Sequence, residues 1–576
     1  MNFNVSDNKV HYKFWISFFV LNSLFFVTRY LFDSSDSPFF PFKYFFEGDI
    51  FTRFKVIFIR PGYDIFRLNV ELVLLTTALL LFGTRIKRTT VFIATFWIVY
   101  LFLFFYSIYH GAIEGIYQTD PLFFNDLTLL QTGFSIIRNE SAWVLTVINL
   151  ILVLMFWTTF KMSKMLFYSS LKIKFGKLEK VVWSVLVILV VLNTKYGLNV
   201  NTRNAIQPVT VFIYNNINRS DQASKALADF NIEKLSDKIP YKSYELKDKP
   251  NIYILAIESY GSVVLNDDST KSSIVSNLKI VQNEFIKAGW NNASALSVSP
   301  SFGGKSWVSY SSILYGFNFK NQGTYDALFN TPELYDYPSW PNVFRSYGYK
   351  SIRLNSLPPA DLVDVPWEQY SKFYNIDKWI KFEDLDFNGK SYGFGPAPPD
   401  QYSFNKAMEL IKDEQQPIFF FFLNQNTHHP YESPKNAMSN WKESNKSDEK
   451  QVDGGIGFLG TPNKNNYINS INYQLDYISQ YILNNADSTD IFILIGDHQP
   501  PFVSDPKDGM SCPVHIISKN NKLIDNLITN GFMSGMIPQN TSEFHHAGIY
   551  SVFMNSIIGL DSTVTNLPKT YPLGVE

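Results

Sequence analysis

Ile491-Phe492-Ile493-Leu494-Ile495-Gly496-Asp497-His498-Gln499-Pro500 is the stretch that decides the fold. Five apolar residues run without alternation, then a glycine, then an acid and an imidazole. A short continuous apolar run predicts a strand buried on both faces of a parallel sheet. Two other stretches share this build. Ile252–Ile257 runs into Glu258-Ser259, and Pro417–Leu423 runs on to Asn426-Thr427-His428-His429-Pro430. Helical patterns lie between them, such as Tyr402–Lys412 and Ile468–Leu483. Strands alternating with helices predict a C-terminal α/β domain with a central, mostly parallel sheet. Ligands of such sheets sit beyond the carboxyl ends of the strands. Glu258, His428, Asp497 and His498 are therefore expected on one edge.

Their chemistry narrows the reading. Glu258, Asp497 and His498 offer two hard oxygens and one imidazole. That donor set suits one divalent cation, with manganese first and magnesium or zinc as alternatives, and disfavours copper(I) and iron–sulfur chemistry. Each residue alone has an ordinary reading, a loop carboxylate or a turn. Three strands ending in metal-type ligands together predict a metal site. A hydroxyl stands ready for it. Ser299-Pro300-Ser301-Phe302-Gly303-Gly304-Lys305-Ser306 is a glycine-rich turn leading into Val308–Leu314, which reads as a helix. A hydroxyl at a helix N-terminus lies where backbone N–H groups favour an anion. Ser306 is either a helix cap or a metal-activated nucleophile, and the metal set favours the nucleophile. Lys305 either neutralises phosphate or is solvated. A nucleotide-binding P-loop is excluded, because Ser299 stands where its first glycine belongs.

The first 200 residues read differently. Apolar segments at about 14–32, 65–83, 91–109, 143–160 and 181–197 each approach the ~20 residues that cross a bilayer as a helix. The first is too long for a cleaved signal peptide and no small-residue site follows it. The N-terminal tail and the loops after segments two and four hold 11 Lys and Arg, against 5 in the alternate loops. That bias predicts a five-helix bundle with its N-terminus inside and everything after residue 200 outside. Arg67 and Glu71, four apart, either pair or line a polar groove. Tyr117–Ile137 reads as an amphipathic segment along the outer leaflet. The expected organisation is 1–200 transmembrane, 201–248 a juxtamembrane linker with a helix over Ser220–Phe230, and 249–576 the outer domain.

Composition excludes other classes. A formal net charge of −1 argues against nucleic-acid binding. One cysteine, Cys512, rules out an internal disulfide framework and any multi-cysteine metal site.

Five spans, then Glu258-Ser259, Gly304-Lys305-Ser306, His428 before Pro430, and Gly496-Asp497-His498, in that order, resemble the membrane-anchored sulfatase-like transferases of the alkaline phosphatase superfamily. Lipoteichoic acid synthases, phosphoglycerol transferases and phosphoethanolamine transferases belong to that group. The resemblance covers nearly the whole chain. It implies that Glu258, Ser306, Asp497 and His498 bind the metal, that Ser306 is the nucleophile and that His428 holds the substrate phosphate. Asp476 resembles a recurring position and is expected to orient a helix. Three departures matter. Relatives usually carry Thr where this chain has Ser306, an equivalent hydroxyl. Ser306 is followed by Trp307, Val308, Ser309 and Tyr310, so the x-Pro-x-Arg signature of true sulfatases is absent, which argues against sulfate-ester hydrolysis. Phosphoethanolamine transferases usually carry several disulfides outside, which tilts the reading towards phosphoglycerol.

The expectation is a phosphotransferase of the sulfatase-like family. It would move a phospholipid head group through a covalent Ser306 intermediate onto a glycan or glycolipid. It would sit in the plasma (inner) membrane, multi-pass, with its catalytic domain periplasmic or extracellular. A phosphoethanolamine transferase, or a phosphodiester or sulfate-ester hydrolase on the same site, are the alternatives. Arg353 and Trp367 are candidate head-group residues, or else a surface arginine and a core tryptophan. His515 reads as buried packing and His545-His546 as structural or exposed.

Overall fold

A computed structural model of the chain describes residues 5–27, 68–117, 119–126, 142–196, 206–266, 268–358, 367–393, 397–446, 464–504, 508–538 and 544–576. Its contacts divide it into two compact units, 1–127 with 136–223, and 128–135 with 224–576.

In the first unit, helices α1 (Val5–Leu24), α2 (Val70–Phe82), α3 (Thr89–Tyr117), α4 (Ala142–Lys172) and α5 (Lys177–Tyr196) overlie the five predicted segments. Among the described residues only two are long and apolar enough to cross a membrane, over Thr89–Glu114 and Leu145–Lys172. This corrects the expectation of five spans by that measure, and the reasons are local. At about 1.5 Å per residue α2 reaches only about 20 Å, against ~30 Å of hydrocarbon. Lys9 and Lys13 interrupt α1, and Lys177, Glu179 and Lys180 open α5. In α4 the apolar side chains face outward, with Leu150, Ile151, Val153 and Leu154 all at least 60% exposed.

Helix α6 (Val209–Ala228) begins eleven residues before the predicted Ser220, so the apolar patch Val209–Tyr214 belongs to it. Glu71 is buried, and its Oε1 accepts from both Thr210 N and Thr210 Oγ1 at 2.7 Å. Its Oε2 accepts from Asn69 Nδ2 at 3.1 Å, while Asn69 Oδ1 caps α2 through Leu72 N. One carboxylate thus serves the N-termini of two helices, where the helix dipoles favour negative charge. Its expected partner Arg67 lies outside the described residues, as does most of the segment predicted at Tyr117–Ile137.

The second unit is built on a nine-stranded sheet. In chain order its strands are β1 (Ile252–Ile257), β2 (Asn291–Val298), β3 (Lys350–Leu354), β4 (Lys378–Ile380), β5 (Ile418–Leu423), β6 (Ile491–Gly496), β7 (Ser511–Ser518), β8 (Met533–Ser534) and β9 (Phe544–His545). They lie in the order β8-β2-β7-β6-β1-β5-β3-β4, with β9 on β2. The β6-β1-β5-β3-β4 half is parallel. Strands β6-β7, β7-β2 and β2-β8 pair antiparallel and β9 pairs parallel with β2, so the sheet is mixed, with most of its pairings parallel. The antiparallel flank rests on β2, whose sequence, Asn-Asn-Ala-Ser-Ala-Leu-Ser-Val, has no apolar run to announce it.

Alternation along the buried strands makes two cores. Ile252, Ile254, Phe419, Phe421, Ile491, Ile493 and Ile495 face one, with helices α8 (Ser306–Tyr315) and α11 (His546–Ile558) packed over them. Tyr253, Leu255, Phe420, Phe422, Phe492 and Leu494 face the other, under α7 (Asp268–Lys287), α9 (Asp400–Ile411) and α10 (Lys464–Asn485). Burial on both faces is what continuous apolar runs require, and truncating one such phenylalanine costs about 3–5 kcal/mol.

Candidate active site

Parallel pairing sets Ile257 of β1 beside Gly496 of β6, so Glu258 and Asp497 emerge side by side. The approach is close. A Cβ on Gly496 would lie 1.9 Å from the Tyr260 carbonyl oxygen, so only glycine fits there. Ser259 has a φ of 60°, the left-handed region that L residues adopt at a cost, and its N–H donates to Asp497 Oδ1 at 2.7 Å. His498 N donates to the same oxygen at 2.7 Å. The glycine-rich turn then delivers the hydroxyl. Gly303 has a φ of 65° and Lys305 one of 63°, and α8 starts at Ser306.

The four groups meet at the strand ends, with Glu258, Asp497 and His498 buried and Ser306 half-buried. Ser306 Oγ donates to Glu258 Oε2 at 2.8 Å and lies 3.3 Å from His498 Nε2. His498 Nε2 is 3.2 Å from Glu258 Oε1 and 3.5 Å from Asp497 Oδ2. His498 Nδ1 donates to the Gln499 carbonyl at 2.9 Å, which turns Nε2 towards the two carboxylates. Asp497 Oδ2 is buried without a hydrogen-bond partner among the described residues. An orphaned carboxylate oxygen, a second carboxylate and an oriented imidazole fit a divalent cation.

The electrostatics agree with this fit. Burial opposes ionisation of Glu258, yet the His498 charge holds it well below the usual carboxylate range. Burial and the Glu258 charge push Asp497 up to about 8. Burial opposes the His498 charge, but Asp497 and Glu258 outweigh it and raise the imidazole to about 9. A proton on His498 thus occupies the place that suits a metal cation.

A buried polar chain supports Glu258 from behind. Its N–H donates to Asn424 Oδ1 at 2.9 Å, and Asn424 Nδ2 donates to Gln474 Oε1 at 2.7 Å. Gln474 Nε2 donates to Asp400 Oδ2 at 2.6 Å, which also accepts from Asn426 N at 2.7 Å. Asp400 Oδ1 accepts from Gln425 N at 2.9 Å. Burial pushes the Asp400 carboxyl up to about 7. Asp400 thereby fixes the loop that carries His428, whose Nδ1 bonds the His429 carbonyl at 2.8 Å.

The remaining predicted residues are dispersed. Lys305 is buried just before α8. Arg353 is 8% exposed, and its guanidinium lies 4.6 Å from the rings of Tyr310 and Tyr374, 4.9 Å from Trp379 and 5.0 Å from Phe421. Its Nη1 has no hydrogen-bond partner among the described residues. Tyr310 follows Ser306 by one helical turn, which sets this box beside α8. Trp367 packs instead on Trp379 at 5.2 Å and under Lys381 at 4.4 Å. Asp476 accepts from Asn277 Nδ2 of α7, so it ties two helices. His515 is buried between Ser294 and Tyr260. His546, read as structural or exposed, is fully buried with its Nε2 3.0 Å from the Gly496 carbonyl. Sequence reading passed over Asn424, Gln474, Asp400 and Ser309, whose isolated polar letters carry no local signal.

Residues 250–529 match the sulfatase family model. No curated protein matches the chain. Among solved structures, lipoteichoic acid synthase LtaP of Listeria monocytogenes is 16% identical over 49% of this chain and 71% of its own, with a TM-score of 0.31. The phosphoglycerol transferase GacH of Streptococcus pyogenes is 13% identical over 58% and 81%, at 0.37. The lipooligosaccharide phosphoethanolamine transferase EptA of Neisseria meningitidis is 10% identical over 93% and 94%, at 0.41. With every TM-score below 0.5, the assignment rests on the family model and on the geometry of the strand ends. Over residues 250–529 this chain carries a sulfatase-family domain.

Proposed function

We propose that this chain is a metal-dependent phosphotransferase that moves a phospholipid head group, phosphoglycerol first, onto a glycan or glycolipid acceptor outside the cytoplasm. The observation that carries the reading is the Ser306 hydroxyl hydrogen-bonded to Glu258 Oε2 at 2.8 Å, beside the orphaned Asp497 Oδ2. Glu258, Ser306, Asp497 and His498 would hold one divalent cation, Mn2+ first. Bound there, it would lower the pKa of the serine hydroxyl and polarise a phosphoryl oxygen. With the cation bound, Ser306 would release its hydroxyl proton to solvent, and Oγ attacks phosphorus. The phosphorus–oxygen bond to the lipid breaks, and diacylglycerol leaves with a proton donated from His428. The acceptor hydroxyl then attacks phosphoserine and gives its proton back to His428, the bond to Oγ breaks, and Ser306 is regenerated. Two half-reactions at one site give ping-pong kinetics. Lys305, Arg353 and Trp367 are proposed to receive the head group. A buried guanidinium whose Nη1 has no hydrogen-bond partner among the described residues supports Arg353 most directly.

The lipid donor accounts for the membrane unit. In this reading residues 1–200 form the transmembrane domain, 201–248 the juxtamembrane linker and 249–576 the catalytic domain. Helices α3 and α4 cross the plasma membrane in this reading, and the catalytic domain is periplasmic or extracellular. The experiment is to incubate the purified chain with Mn2+ and vesicles of phosphatidylglycerol or phosphatidylethanolamine and to measure diacylglycerol. Release from one lipid by wild type and not by Ser306→Ala supports the reading. Release from neither lipid refutes it.

A further inference from the structure

Three donors from three separate elements converge on a single backbone oxygen, the carbonyl of Asp497. That carbonyl belongs to the peptide joining the two metal-type ligands Asp497 and His498. Ser299 Oγ, just past β2, donates to it at 2.6 Å. Ser309 Oγ, on α8, also donates to it. His546 Nε2, at the start of α11, lies 3.2 Å from it and 3.0 Å from the Gly496 carbonyl. Ser297 Oγ lies 2.7 Å from His546 Nδ1, so Nδ1 accepts and Nε2 carries the proton. Ser297, Ser299, Ser309 and His546 are all buried.

A carbonyl has two lone pairs, so three donors exceed what closing a turn requires. Ser309 stands three residues after Ser306, on the same face of α8. Its bond to Asp497 links the nucleophile's helix to the metal loop through one atom. His546 contacts the same carbonyl from the start of α11. Any rotation of that peptide would move the Asp497 carboxylate and the His498 imidazole together. We propose that Ser309 and His546 are positioning residues, which fix the peptide between Asp497 and His498 and so set the spacing between Ser306 Oγ and the bound cation. The proposal rests on the metal-site reading above.

The test uses the full chain in detergent, Mn2+ alone as the probe, and titration calorimetry beside thermal unfolding. Ser309→Ala and His546→Leu each remove a donor, whereas the His546→Gln amide can present an N–H where Nε2 stood. Outer-shell partners of metal ligands typically contribute about 10- to 100-fold in affinity. Ser309→Ala and His546→Leu are expected to weaken Mn2+ binding by about that range, and His546→Gln to stay within about threefold of wild type. Wild-type affinity in Ser309→Ala and His546→Leu overturns the proposal. So does equal weakening in all three variants alongside an equal fall in thermal midpoint, since that marks a merely structural role. If His546→Leu does not fold, Ser309→Ala and His546→Gln decide. Failure of wild type to bind Mn2+ is a separate result, and it removes the metal reading itself.

Discussion

Replacing Asp400 by asparagine tests the buried chain that ends at Glu258. The carboxyl is fully buried, accepts three hydrogen bonds, and has its pKa pushed by burial up to about 7. Unfolded, it returns to about 3.9. A folded pKa above the unfolded one gives stability that is complete below about pH 4 and lost as the pH rises to about 7. At about 1.4 kcal/mol per pH unit the full effect is on the order of 4 kcal/mol, with about 3 kcal/mol of it above pH 4.5. Asparagine does not titrate, and it loses only the hydrogen bond from one backbone N–H. Asp400→Asn is therefore expected to gain about 3 kcal/mol on wild type between about pH 4.5 and pH 8. Urea unfolding of the detergent-solubilised chain, followed by tryptophan fluorescence, measures the difference at each pH. Subtracting the variant cancels the other titrating groups. Parallel pH profiles for the two proteins would refute the reasoning.

Glu258→Gln removes a charge from the metal-type cluster that holds the Ser306 hydroxyl, so diacylglycerol release is expected to fall by at least about 10³-fold, read by lipid chromatography. Arg353→Met replaces a buried cation held among aromatic rings by an apolar side chain. It is expected to leave the thermal midpoint unchanged or raised, while the lipid KM rises about tenfold or more. Chelation is expected to lower the midpoint and Mn2+ at about 100 times its Kd to restore about 2.7 kcal/mol, measured by calorimetry. Glu71→Ala strips the cap shared by α2 and α6 and is expected to cost about 1–3 kcal/mol, seen as faster amide exchange at Thr210.

The sequence made some parts of this molecule easy to read. Ile252–Ile257 and Ile491–Ile495 are legible because strands buried on both faces must be apolar at every position. The same burial leads straight to Glu258, Asp497 and His498, since the chain turns polar where the sheet ends. β2 escaped notice because its interior positions are Ala and Ser, packed by size rather than hydrophobicity. The helices of the first unit were placed correctly, but segment hydropathy overstated α1, α2 and α5, whose charges and lengths fall short of a span. Asp400, Gln474 and Asn424 are 24 to 74 residues apart, and their hydrogen bonds depend on tertiary packing that no local pattern encodes. His546 was undervalued for the same reason, because its partners Ser297 and Gly496 are brought to it only by the sheet.

The central claim is that Ser306 carries the head group between two half-reactions. The most direct measurement is mass spectrometry of the peptide bearing Ser306, after the purified chain meets Mn2+ and phosphatidylglycerol vesicles without acceptor. The account predicts a phosphoglycerol adduct on Ser306 that disappears in Ser306→Ala. A phosphoethanolamine adduct formed instead from phosphatidylethanolamine would keep the mechanism and change the substrate. No adduct and no diacylglycerol, with Mn2+ shown to be bound, would contradict the account.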